Sequence, residues 1–384
     1  MHFLPRLWSR AIAAGLVALA GALAAPAIAS AAQSHQPGFV YVNDNIAGAN
    51  TVAGFARQAD GRLTPLAGSP FKTGGAGTGS GLASQGAIQV TSDGRYVIAV
   101  DAGSNQISVL RIQHDGALRP VSHGVVSSGG TTPVSVAEHH GLVYVANAGA
   151  GGSNYTGFTL SGGGRLRPLG RSTVALPDDA QPGDVLFNST GRNLIGTRVG
   201  SSLIDSFSIG RDGRLTAAAG SPFAAQGPGP FGSEFRPTDS SQLFVSNAHG
   251  GAGNGTVSAF SVAADGALSS IGASPFADLE TAPCWVEITH DGEFLFTVNT
   301  ASGSISRYSI APDGTLTLLG STQVGNQSGV GAVDARLSTD GHTLYVDESS
   351  VAALGEFDVH GGQLTELGSA SLPAGSAAAG VTTR

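Results

Sequence analysis

The chain has 384 residues, of which 12% are charged, 41% are hydrophobic and 58 are glycine, with a formal net charge of −8. Such a balance describes a turn-rich β protein and excludes a helical or disordered chain; without clusters of Lys and Arg it also excludes a nucleic-acid or anionic-membrane surface. Cys284 is the only cysteine, so no intramolecular disulfide can form and stability must come from packing.

Residues 1–29 read as a signal peptide. Arg6 and Arg10 precede an uncharged stretch over residues 11–29, and Ala27-Ile28-Ala29 offers small residues at the two positions a signal peptidase reads. Ala29-Ser30-Ala31 is an alternative cleavage signal. The competing reading is an uncleaved anchor, because the apolar run approaches bilayer-spanning length. Residues 30–37 form a short linker. The mature product is expected to be secreted or periplasmic, soluble, free of membrane once cleaved, and monomeric.

From residue 38 onward one pattern recurs seven times: a large apolar residue, then a glycine turn, then a Leu two residues beyond it. The apolar column is Phe55, Leu110, Phe158, Phe207, Phe260, Tyr308 and Phe357. The turns are Asp60-Gly61, Asp115-Gly116, Gly163-Gly164, Asp212-Gly213, Asp265-Gly266, Asp313-Gly314 and Gly361-Gly362, at intervals of 55, 48, 49, 53, 48 and 48 residues. These are blade spacings. Each turn is a hairpin loop, since Gly adopts the positive φ that strand twist demands. Alternation ahead of the turns, as in residues 257–262, marks strands. Upstream in each unit lie a second hairpin and a third turn, for example Asp93-Gly94 and Asp291-Gly292, which makes four strands per unit.

Inner strands are expected near residues 84–90, 133–138, 182–187, 230–236, 283–288 and 330–336. The seventh is missing at the start, where the chain enters at Phe39-Val40-Tyr41-Val42 as a second strand. The C-terminal segment therefore supplies it, closing the ring and removing free sheet edges. The fold expected over residues 38–384 is an all-β, seven-bladed β-propeller closed by its C-terminal strand; an open solenoid fits less well, because its rungs are shorter.

The units Val143-Tyr144-Val145-Ala146-Asn147 and Leu243-Phe244-Val245-Ser246-Asn247, with Gly68-Ser69-Pro70-Phe71, Gly220-Ser221-Pro222-Phe223 and Ala273-Ser274-Pro275-Phe276, resemble the lactonase-like seven-bladed propellers. That family includes 6-phosphogluconolactonases and carboxymuconate cyclases, and the units are also similar to propeller repeats of bacterial surface proteins. The resemblance implies a site built from His-bearing inner strands, a Gly-Pro-Arg-His segment, an Asn-Glu pair and a further Arg. Here the corresponding stretches read Pro182-Gly183-Asp184, Gly229-Pro230-Phe231-Gly232, Asn247-Ala248 and Val330-Gly331-Ala332-Val333. Phe231 stands where the family places Arg, and Gly183, Gly232 and Ala248 where it places His, His and Glu. Ring opening needs a general acid or base and a cation for the developing oxyanion, and these departures remove both.

Other chemistry is carried by polar residues on the inner strands: Gln89, Asp184, Glu234, Glu287, Asp334 and Arg336. Around one channel they line a ligand site of acidic character, or else Asp334 and Arg336, two apart on one strand face, simply pair with neighbours. Cys284 and Trp285 present a thiol and a stacking ring, or pack in the core. His249, in a glycine-rich loop, is a lone base or a solvated loop residue. No metal-ligand spacing, nucleophile elbow or phosphate loop occurs in the sequence, so neither metal nor cofactor is expected. The functional expectation is an exported scaffold that binds a small molecule or a protein or cell-surface ligand; the alternative is an extracytoplasmic hydrolase of a lactone or related ring ester.

The leader reading is checked by N-terminal sequencing of the exported protein. It should begin near Ser30 or Ala32, and a membrane-bound product that retains Met1 would overturn the expectation.

Overall fold

The structure is a computed structural model that describes residues 38–325 and 331–384; the predicted signal peptide and linker lie outside the described residues. Seven antiparallel sheets form the blades of a propeller. Their inner strands are Ile88–Val90, Pro133–His139, Pro182–Phe187, Pro230–Arg236, Pro283–Ile288, Ala332–Leu337 and Val381–Thr383. The blade containing Phe39–Asn43 is blade 1, and the others are numbered in chain order. All seven members of the large apolar column are buried on third strands. Among the described residues the single helical element is the 3-10 turn Ala102–Ser104, and no helix is long and apolar enough to cross a membrane.

In blades 1, 3, 4 and 5 the outer strand is broken in two, and the Ser-Pro-Phe segments sit at three of the breaks. There the hydroxyls of Ser69, Ser221 and Ser274 accept the amides of Gly54, Ser206 and Ala259 on the adjoining strand. Phe71, Phe223 and Phe276 then resume the pairing against Val52, Ile204 and Val257. A side chain thus replaces the backbone acceptor lost at the break, as buried amides require.

The glycine turns have a second role besides reversing the chain. In every blade a side chain donates to a carbonyl of the next blade's turn. The Tyr41, Tyr96 and Tyr144 hydroxyls reach the carbonyls of Gly116, Gly162 and Gly213 at 2.8, 3.0 and 2.9 Å. Ser206, Gln242 and Arg307 do the same for Gly266, Pro312 and Gly362. The series closes with Tyr345 of blade 7 on Gly61 of blade 1, at 2.8 Å. Gly116, at φ +82°, shows why glycine is needed: a Cβ there would also strike the Phe39 ring.

Blade 1 is completed by the chain's last residues. Val381–Thr383 pairs with Phe39–Asn43, with Val42 opposite Val381 and Val40 opposite Thr383. The Phe39 amide donates to the Arg384 carbonyl, Asn43 to Gly380, and Ala377 to Asp44. Val381, Ala378 and Leu372 pack with Val40, Val42, Tyr345 and Leu354 in one buried cluster. A chain ending at Leu372 loses this strand and its hydrogen bonds, each worth about 1 kcal/mol net, and exposes a blade edge. It should melt far below the full chain or aggregate; an unchanged melting temperature would show that the ring closes without residues 373–384.

Candidate functional site

The inner strands begin at one end of the central channel, here called the leading end, and finish at the trailing end. Between them lies a partition that comes from one connection, residues 73–87, which joins blade 1 to blade 2. The Gln85 amide donates to Gly183, and the Ser84 hydroxyl donates to the Val134 carbonyl. The Gln85 side-chain amide bridges blades 5 and 6, donating to Ser233 O at 2.9 Å and accepting from Val286 N at 3.0 Å. The Trp285 indole donates to Ser84 O at 2.8 Å. A Cβ on Gly232 would collide with Gln85 Oε1. Glycine at a position where the family resemblance implies His is therefore required by the side chain that occupies the space.

The leading end has an apolar lining, with buried acids such as Asp347, which pairs with Val333, behind it. Phe231, Ala248, Val199, Cys284, Trp285 and Ala332 belong to one buried cluster, with Val333 packed against it. Phe231 and Trp285 meet edge to face, with centroids 5.3 Å apart at 63°. Burial pushes the Cys284 thiol up to about 11, so it stays protonated at neutral pH. His249 is exposed, beside Gly229, and does not reach the channel lining.

The trailing end is open and charged. A cavity of about 520 Å³ is lined by Gln89, Asp184, Glu234 and Arg336, with Phe187 and Phe235 among its apolar walls and Gln85 at its floor. An adjoining recess of about 340 Å³ shares Glu234 and Arg336 and adds Glu287. Arg336 Nη1 lies 3.2 Å from Glu287 Oε2 and 3.8 Å from Glu234 Oε2. Glu287 Oε1 accepts the Leu337 amide, but neither Oε2 accepts a hydrogen bond. Burial raises both glutamates above the usual carboxylate range, against the lowering pull of Arg336. Asp184 is tied to Ser135 at 3.2 Å and to the Ser233 hydroxyl at 2.6 Å, and burial still pushes it up to about 7. Gln89 lines the cavity while its Oε1 accepts the Glu138 amide at 2.7 Å.

The structure thus gathers Gln89, Asp184, Glu234, Glu287 and Arg336 at one mouth and places Cys284 and Trp285 at the other. Asp334 departs from the sequence expectation. A register shift between Val333 and Ala335 puts it at φ +27°, so it does not continue the Arg336 face. Its carboxylate turns to the Ala335 and Val381 amides at the blade 7 to blade 1 seam, and burial pushes it up to about 7. The sequence pattern puts Ser84 and Gln85 on the inner strand expected near residues 84–90; the strand starts only at Ile88, and the two residues lie instead in the connection that crosses the channel. Among the described residues no three His, Cys, Asp or Glu side chains are placed to hold a metal.

The sequence matches the family described as "Lactonase, 7-bladed beta-propeller" over residues 34–172 and 194–377. No curated protein sequence matches it. Among solved structures it is similar to a Bacteroides fragilis protein provisionally assigned as a 6-phosphogluconolactonase, at 18% identity and TM-score 0.71 over 92% of this chain and 99% of that one. It is also similar to the periplasmic gluconolactonase of Pseudomonas aeruginosa, at 15% identity and TM-score 0.70 over 90% and 98%. At these identities the likeness is one of fold.

The buried acids predict a pH dependence of stability. Their folded pKa values lie above the unfolded ones, so between about pH 4 and pH 8 the native state holds more protons and stability falls as pH rises. The contribution is fully present below the unfolded values and is lost as pH climbs through about 7 for Asp184 and Asp334. The melting temperature should therefore be higher at pH 5 than at pH 8. Arg336→Met removes the cation between two carboxylates and should cost about 2–4 kcal/mol at pH 8, with a smaller loss at pH 5, where protonation relieves the glutamates. Denaturant titrations at both pH values check this; an equal loss at each would remove Arg336 from the acid cluster.

Proposed function

This chain belongs to the seven-bladed β-propeller lactonase family, and we propose that it is a ligand-binding member that acts after export, with its site at the trailing mouth of the channel. The observation that carries the reading is the exchange of character between the two ends. Where the family resemblance places Arg, two His and Glu, this chain has Phe231, Gly183, Gly232 and Ala248, with the Gln85 carboxamide against Gly232. An apolar wall offers no donor to a developing oxyanion, and one such donor is worth about 3–4 kcal/mol of barrier. The charged groups stand instead at the opposite mouth, around an open cavity of about 520 Å³.

That mouth favours a ligand rich in hydrogen-bond donors. Glu234, Glu287 and Asp184 give the mouth its acidic character, although the Oε2 atoms of the two glutamates are buried and turned to Arg336. Arg336 is already held between the two glutamates, so it offers an anion little. A small hydroxylated or ammonium-bearing molecule fits this arrangement, with the Phe187 and Phe235 walls excluding water from its less polar face. Export rests on the residue 1–29 pattern.

Glucosamine and gluconate, matched in size and opposite in charge, separate the readings. Glucosamine should bind saturably and raise the melting temperature, gluconate should not, and Glu287→Gln should weaken the amine. Gluconolactone and 6-phosphogluconolactone should open at the spontaneous rate in the presence of the protein. Hydrolysis at ordinary enzymatic efficiency that disappears in Arg336→Met would replace this reading with the hydrolase one.

A further inference from the structure

A second cavity, of about 260 Å³, opens at the leading end, on the other side of the Ser84-Gln85 partition. Its walls are Leu82, Phe231, Cys284, Trp285, Val333 and Ala378. The described lining carries no charged group; its hydroxyls come from Ser84, Thr300 and Ser349. Two of these are committed, Ser84 to Val134 O at 2.7 Å and Ser349 to Gly331 O at 2.8 Å. Thr300 Oγ1 is buried and makes no hydrogen bond of ordinary geometry, its one polar neighbour being the Cys284 thiol, a weak partner. The indole N–H of Trp285 is likewise spent on Ser84 O, so that ring presents hydrocarbon to the cavity.

The geometry points to a binding site for a small, uncharged aromatic molecule bearing one hydroxyl, its ring held against Trp285 and Phe231 and its hydroxyl paired with Thr300 Oγ1. Three features select that class. The volume is below the roughly 300–1,000 Å³ of pockets for drug-sized ligands, which limits the occupant to about one substituted ring. Two aromatic walls already in edge-to-face contact add geometry-dependent attraction for a third ring beyond the area it buries. A single hydroxyl left with only a weak partner in an otherwise apolar lining is costly and is satisfied by one polar group. Cys284 is a protonated, polarisable wall beside Thr300, so the site holds its ligand without attacking it. The site is independent of the trailing mouth and stands whether or not that mouth binds amines.

Trp285 and Cys284 make the test local. The sequence has two tryptophans, Trp8 and Trp285, and one cysteine, so in the full-length Trp8→Phe chain all indole emission and all thiol chemistry report this cavity. p-Cresol is the probe and toluene its matched control without the hydroxyl. p-Cresol should change Trp285 emission saturably and slow alkylation of Cys284. Thr300→Val, which keeps the shape, should weaken p-cresol by roughly five- to ten-fold, as one neutral hydrogen bond does, while toluene changes less than about two-fold. Val333→Phe should fill the cavity and abolish both, with the melting curve confirming a folded ring. The proposal fails if p-cresol causes no saturable change, if Cys284 reacts at the same rate with and without it, if Thr300→Val affects both probes alike or neither, or if binding persists in folded Val333→Phe.

Discussion

The ring depends on one repeated interaction, a side-chain donor on each blade reaching a carbonyl in the glycine turn of the next. Seven such bonds, four of them from tyrosine, fix the rotation between neighbouring blades. Gly61, Gly116, Gly266 and Gly362 are buried, and leaving their carbonyls unpaired would cost more than the bond itself contributes. The turn therefore has two demands to meet, a positive φ for the hairpin and a close approach for the neighbour, and glycine satisfies both. Channel width follows from this, since the inner strands are carried wherever the blades are set.

Because blade angles are fixed from outside, the channel lining is free to vary. It has diverged into two environments divided by residues 84–85. On one side aromatic and aliphatic groups line the channel; on the other, carboxylates gather around one guanidinium. Burial raises the acids; Arg336 pulls Glu234 and Glu287 back down, while hydrogen bonds from Ser233 and Ser135 do so for Asp184 and leave it at about 7. A lining of this kind responds to pH around neutrality.

Much of the fold was legible because it is periodic. The apolar column, the glycine turns and the missing first inner strand led to seven blades and to C-terminal closure, all without tertiary information. The candidate site was legible only in part. Gln89, Asp184, Glu234, Glu287 and Arg336 could be placed on inner strands by register, yet which end of the channel they face depends on details within one strand. Asp334 was misplaced because a bulge shifts the register by one residue and swings its side chain to the seam. The repeat pattern puts Gln85 on the inner strand expected near residues 84–90, whereas that strand begins at Ile88 and Gln85 belongs to a non-repeating connection. Its trace was nonetheless present: the first turn-to-turn interval is 55 residues where three others are 48, and the longest blade-to-blade connection within that interval, residues 73–87, is the segment that crosses the channel.

Closure of blade 1 by Val381–Thr383 also dictates an order of assembly. Val40 and Thr383 are partners 343 residues apart (383 minus 40), so the first blade to emerge is the last to be finished. Throughout synthesis and any passage across a membrane, Phe39–Asn43 stands as a bare strand edge of the kind that recruits other chains. Contacts of such long separation also make folding slow. Blades 2 to 7 are built from contiguous chain and can each form as they appear, which leaves the joining of the two chain ends as the slow, exposed and final event in the life of the nascent ring.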